Sequence, residues 1–167
     1  MIDKAYFAVI VKIKEDDLDD PLIDICIKSA SNKAQRYCNR SFEVREYEQK
    51  LSPRLTVFKQ WPMVELLAGP PHYELGTNQR GEVISLKSPY TKGHIKYKAG
   101  YETIPDELKL AVAIIAAHYF KLIRDDLLST SSKTSRGHRS DTTEEINHEI
   151  PIEAKTILDS YARLEVY

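Results

Sequence analysis

The sequence predicts an α+β fold: a helical core of two main helices plus a C-terminal helix, with a small, mainly antiparallel sheet inserted between helix 1 and helix 2. Three observations carry this. Apolar residues recur at helical spacing from Ile23 to Cys38. Residues 42–100 change to short apolar runs cut by proline and glycine, the punctuation of strands and turns. From Leu108 to Ile123 the chain is apolar almost all round, the mark of a helix central to a core or covered by a neighbour.

Residues 1–19 read as an N-terminal extension with a weakly alternating short strand at 5–13, followed by the acidic run Glu15-Asp-Asp-Leu-Asp-Asp20. That run lacks the turn glycine and closing glutamate of a calcium loop. Asp20-Pro21 then starts helix 1, a carboxylate cap before a proline that needs no N–H partner. Its stripe is Ile23, Cys26, Ile27, Ala30, Ala34, Tyr37 and Cys38, and Lys28, Asn32, Lys33, Gln35 and Arg36 face away. Strands are expected near 43–51, 54–58, 63–67, 72–75, 82–87 and 94–99, with the turn Gly76-Thr-Asn-Gln-Arg-Gly81 as a hairpin tip. In the last strand Ile95, Tyr97 and Ala99 share one face, Lys96 and Lys98 the other.

Thr103-Ile-Pro-Asp-Glu107 opens helix 2, where Pro105, Asp106 and Glu107 suit a first turn and the positive end of the dipole. Its apolar surface exceeds what one small domain is expected to hide. Residues 125–150 form a mobile polar loop in this reading: 129–140 hold seven Ser/Thr, three basic residues and no aliphatic side chain. Pro151 starts the C-terminal helix, with Ala154, Ile157, Leu158, Tyr161 and Leu164 as its stripe. The whole, residues 1–167, reads as a single domain.

Composition bounds the function. Net charge is -1, so no basic excess marks duplex binding as the main task. The middle of the chain is mildly basic and its C-terminal third mildly acidic, which suits polar contact between copies. Cys26 and Cys38 lie about 18 Å apart along one helix, too far for a disulfide, and read as small core residues. No apolar run approaches the ~20 residues of a membrane span, and no signal segment is visible. Phosphate loops, nucleophile elbows and zinc motifs are missing. The five histidines show no ligand spacing, and His118 reads as a packed core residue. Neither an enzyme nor a cofactor is expected. The patch Lys133-Thr-Ser-Arg136-Gly-His138-Arg139 suits a polyanionic or acidic surface but has no aromatics for base stacking.

The stretch Ile95-Lys-Tyr-Lys-Ala-Gly100-Tyr-Glu-Thr-Ile-Pro105-Asp-Glu-Leu-Lys resembles the head–tail connector (adaptor) proteins of tailed bacteriophages and prophages. Ala34-Gln-Arg-Tyr-Cys-Asn-Arg-Ser-Phe42, Leu55-Thr-Val-Phe-Lys-Gln-Trp61-Pro-Met-Val and Ile150-Pro-Ile-Glu-Ala-Lys-Thr-Ile-Leu158-Asp-Ser-Tyr161 look like that family's first-helix end, central strands and closing helix. Together these cover roughly residues 20–165; residues 1–19 fit poorly and the 125–149 loop is long for the family. The resemblance implies a structural virion protein of the neck, present in the host cytoplasm during assembly. It would form a ring of about a dozen copies closed by head-to-tail contacts. Its partners would be itself, the portal protein, a stopper or tail completion protein and, in passing, double-stranded DNA, with no membrane. Candidate portal contacts are Lys133, Arg136, Arg139, Ile157 and Tyr161. Candidate inter-subunit contacts are Glu82, Val83, Leu86, Ile115, Tyr119 and Leu122, with residues 82–87 taken as an exposed sheet edge. The competing readings are a non-viral scaffolding domain and an enzyme built around His118 or His94.

Overall fold

A computed structural model describes residues 2–12, 20–52, 54–90, 92–132 and 150–162, with the backbone alone for 125–132. The chain divides into two compact units, Met1–Ala34 with Asp106–Tyr161, and Gln35–Pro105 with Ala162–Tyr167.

The first unit is helical. Helix α1 spans Lys4–Val11 and α2 Pro21–Tyr37. Helix α3 runs Asp106–Ser132 and α4 Ile152–Asp159. The Asp20 carboxylate accepts the Leu22 N–H at 2.9 Å, the cap its sequence promised. Ile23, Cys26, Ala30 and Ala34 are buried along α2, and the helix stops where Asn39 takes a left-handed φ of 50°. Both α1 and α4 pack on α3. Phe7 of α1 meets Phe120 of α3 edge-to-face at 6.0 Å, and the Tyr161 hydroxyl after α4 donates to Glu107 Oε2 at 2.8 Å.

The second unit holds β1 Arg45–Lys50, β2 Arg54–Val57, β3 Met63–Ala68, β4 Glu74–Thr77, β5 Val83–Ser88 and β6 His94–Ala99. They form two three-stranded antiparallel sheets of order β1-β6-β3 and β2-β5-β4. Inward residues of both sheets (Leu51, Phe58, Met63, Leu86, Ile95, Tyr97 and Ala99) make one core. The outer face of β1-β6-β3 is a charge ladder in which Lys98 stands between Glu46 and Glu65, and Lys96 opposite Glu48. Gln49 of β1 bridges to β2: its Nε2 donates to the Val57 carbonyl at 2.8 Å and its Oε1 accepts the Lys59 N–H at 2.9 Å. The buried Tyr97 hydroxyl donates to the same Oε1 at 3.2 Å.

The expected fold class needs correction. The described residues hold four helices and two sheets, and the strands lie after the second helix and before the third, not between the first and second. Two physical reasons stand out. Residues 5–13 were expected as a strand, but the Asp3 carboxylate accepts the Tyr6 N–H at 2.7 Å and starts a helix that buries Phe7. The six strands split into two sheets because β5 and β6 each sit between two partners, so neither sheet shares a strand with the other. Helix α3 also continues to Ser132, into the stretch expected as loop from 125; residues 133–149 lie outside the described residues.

Candidate functional site

The second unit closes around one buried cation. Arg40, just past the end of α2, is 3% exposed. Its guanidinium carbon stacks over the Trp61 ring and lies 5.0 Å from the Tyr101 ring centre and 5.8 Å from that of Phe42. Nε, Nη1 and Nη2 have no hydrogen bond of good geometry among the described residues. Burial lowers the Arg40 pKa, while Tyr101 and Glu82 pull the other way. The Tyr101 hydroxyl donates to Glu82 Oε1 at 2.7 Å, and Asn78 Nδ2 donates to Glu82 Oε2 at 2.7 Å, so the hairpin tip holds the nearest carboxylate. Burial raises the Tyr101 phenol far above its ordinary value.

Backbone geometry permits this box. Gly100 has φ 132°, and a Cβ there would strike the Glu43 carbonyl and the Val44 nitrogen. The Gly100 N–H donates to the Pro62 carbonyl at 3.0 Å and the Tyr101 N–H to that of Phe42 at 2.9 Å. Three separate stretches of the resemblance, those containing Phe42, Trp61-Pro62 and Gly100-Tyr101, therefore meet at Arg40. Sequence reasoning did not single out Arg40; the only available signal was a lone arginine between a helix end and an aromatic.

A second feature is an open groove of about 590 Å³ lined by Arg54, Pro71, His72, Tyr73, Glu74, Lys87, Ser88 and Pro89. Arg54 sits at φ 67°, a left-handed conformation that costs a non-glycine residue about 1 kcal/mol. Lys87 and Glu74 are 3.8 Å apart and both largely exposed. Large apolar side chains stand exposed on the strands: Leu55 and Val57 on β2, Val64 and Leu67 on β3, and Leu75 on β4 with Tyr73 just before it.

The expected contact residues fare unevenly. Residues 82–87 are not a sheet edge: β5 pairs with β2 on one side and β4 on the other. Leu86 and Ile115 are fully buried and Tyr161 is 4% exposed, so none of the three is presented to a partner. Glu82 is half-buried and spent on Tyr101 and Asn78; Val83, Tyr119, Leu122 and Ile157 are half-buried. Lys133, Arg136 and Arg139 lie outside the described residues. The apolar excess of helix 2 is taken up largely within the chain: Leu108, Ala111, Val112, Ala113, Ile115, Ala116 and Phe120 of α3 are buried, and Ile123 is its one exposed large hydrophobe among the described side chains. Exposed apolar side chains stand on the strands and also on other helices, at Val9, Ile10, Ile25 and Ile152.

His118 is half-buried with Nε2 lacking a partner among the described residues, and His94 is exposed on β6. Burial, and then Asp20, raise the Cys26 thiol above its ordinary value; neither cysteine is in a disulfide and both are buried. Among the described residues no group of three His, Cys, Asp or Glu is placed to hold a metal, and no helix is long and apolar enough to cross a membrane.

Three solved structures share the fold. A chain in the neck of an empty gene transfer agent (GTA) particle, computed with C6 symmetry, superposes with TM-score 0.60 at 14% identity, over 99% of this chain and 91% of that one. A chain of the native GTA virion gives 0.62 at 13%, over 99% and 91%, and one in the native neck, computed with C12 symmetry, gives 0.56 at 13%, over 100% and 94%. No match is found among curated protein sequences. At these identities the likeness is one of fold. The chain belongs to the head completion protein (HCP) family, whose model it matches over residues 1–164.

Proposed function

We propose that this chain forms a closed ring of identical copies beneath the portal, extends the channel for passing double-stranded DNA, and presents a surface to the next stopper or tail component. Its role is structural rather than catalytic, and residues 1–167 serve as one connector domain made of two compact units. One observation carries the reading: an apolar set on the sheets, Leu55, Val57, Val64, Leu67, Tyr73 and Leu75, stands in solvent in the isolated chain. Such side chains on strands suit burial against a neighbour. The two symmetries named for the similar necks, C6 and C12, support cyclic closure.

Lys133, Arg136, Arg139 and Ile157 are the proposed portal contacts, and Val83, Tyr119 and Leu122 join the sheet residues between copies. Electron microscopy of the full chain mixed with its portal protein tests the reading. An added ring on the portal is expected. A stable monomer without affinity for the portal would favour a scaffolding domain instead.

A further inference from the structure

Arg40 is a buried cation with no carboxylate bonded to it. Its Nε, Nη1 and Nη2 are all buried and reach no acceptor in good geometry among the described residues. A guanidinium held that way stores free energy that a carboxylate would release. Glu82 is the carboxylate whose charge acts on it. Yet Glu82 is turned elsewhere: Oε1 accepts from the Tyr101 hydroxyl and Oε2 from Asn78 Nδ2, both at 2.7 Å. The Tyr101 ring centre in turn lies 5.0 Å from the Arg40 guanidinium carbon, so one phenol adjoins both the carboxylate and the cation.

A turn holds Glu82 in that direction. Asn78 Oδ1 accepts the Arg80 N–H at 2.9 Å and the Glu82 N–H at 3.0 Å, and the Asn78 N–H donates to the Glu82 carbonyl at 3.0 Å. The Gly81 N–H closes on the Asn78 carbonyl at 3.0 Å, with Gly81 at φ 75°. One side chain, Asn78, therefore sets both the shape of the hairpin tip and the direction of the Glu82 carboxylate. Gln79, Arg80 and Gly81 are exposed. A series of contacts thus runs from an exposed tip through Asn78, Glu82 and Tyr101 to Arg40 and Trp61.

We propose that Asn78 is the catch of a two-position switch built on Glu82. With the tip closed, Glu82 stays on Asn78 and Tyr101, and Arg40 stays stacked on Trp61. With the tip displaced, Glu82 turns to Arg40 and the guanidinium leaves the indole. A bond charged on both sides, and bidentate, then replaces two that are charged on one side only. A load on Gln79, Arg80 and Gly81, such as a docked protein, is thereby felt at Trp61. Two discrete arrangements of one network are what energetic coupling across a structure requires. The inference goes beyond the ring reading and stands without it.

The test uses the full chain. Asn78→Asp keeps the acceptor oxygen that shapes the turn, loses the amide donor and repels Glu82. It is expected to move the emission of Trp61, the only tryptophan, to the red and to strengthen its quenching by acrylamide, with far-ultraviolet circular dichroism unchanged. Adding Glu82→Gln leaves no charge to turn, and adding Arg40→Met leaves none to receive it. Each addition is expected to cancel the shift, measured against the same variant with Asn78 intact. Should Asn78→Asp fail to fold, Asn78→Ser, which keeps a turn acceptor and lacks the amide donor, is read the same way. Unmoved emission in the folded variant overturns the proposal. So does a shift that survives Glu82→Gln, which marks simple fraying of the tip.

Discussion

The guanidinium carbon of Arg40 lies 3.5 Å from the centre of the Trp61 ring, and this contact joins the end of α2 to the loop that leads into β3. Trp61 is the only tryptophan, so its fluorescence reports directly on the box. Arg40→Met keeps the volume and removes a buried charge whose nitrogens lack good partners. It should change stability by less than about 1 kcal/mol, because the lost cation–π attraction is offset by the desolvation no longer required. Arg40→Ala leaves a cavity among three aromatics and should cost about 2–4 kcal/mol. Denaturant titration followed at Trp61 distinguishes the two; equal losses would show that the charge itself holds the box.

Gly100→Ala is expected to be the most damaging single methyl in the second unit. The new Cβ meets the Glu43 carbonyl, which is backbone and cannot step aside, and φ 132° is itself unfavourable for alanine. A loss of at least about 3 kcal/mol should appear in thermal denaturation.

Alkali should unfold the protein through its phenols. Burial raises Tyr101, with Arg40 opposing and Glu82 adding to the rise, and burial alone raises Tyr119. A group raised in the folded state contributes its full stability below its unfolded pKa, here 10.0. As pH climbs past that value the unfolded chain ionises first, and the contribution disappears as pH passes through the folded values. Tyrosinate absorbance should therefore emerge together with loss of circular dichroism above about pH 10. Early, non-cooperative ionisation of all ten tyrosines would contradict it.

Leu86 and Leu55 lie on opposite faces of one sheet and should part company. Leu86→Ala empties space in the β core and should cost about 2–5 kcal/mol in denaturant melts. Leu55→Ser should leave stability within about 0.5 kcal/mol, because the side chain is 51% exposed, yet reduce ring formation by native mass spectrometry.

Tyr161→Phe removes the hydroxyl that ties the end of α4 to Glu107 at the start of α3. The expected loss is about 1–2 kcal/mol, since the acceptor is a carboxylate. Hydrogen exchange should quicken in Ile152–Asp159 before the rest of the first unit.

Much of the fold was legible because local chemistry and tertiary environment agree. The α2 stripe buries Ile23, Cys26, Ala30 and Ala34 as its spacing requires, and β6 alternates with Ile95, Tyr97 and Ala99 inward. Residues 4–11 misled because Ala5 to Val11 suits either period, and the deciding events, the Asp3 cap and the Phe7–Phe120 contact, are respectively a single side chain and a partner more than a hundred residues away. Strand existence was readable; strand order was not. Nothing local to residues 83–88 says that both flanks are occupied. The apolar excess on α3 was visible, but what covers it depends on α1 and α4. The Arg40 box escaped for the same reason: its three aromatic residues and its cation come from three places in the chain.

The position of β6 has a consequence for biosynthesis. Among the described residues it is the last strand made, yet it stands between β1 and β3, so neither can find a hydrogen-bonding partner in that sheet until residue 99 has left the ribosome. The strands β1 and β3 must wait, with Met63 and Leu66 uncovered, through the translation of some thirty further codons, a delay of a few seconds at about 5–20 residues per second. Such late, non-local closure is slow by topology, and it makes the nascent chain, more than the finished subunit, the stage at which chaperones have the most to protect.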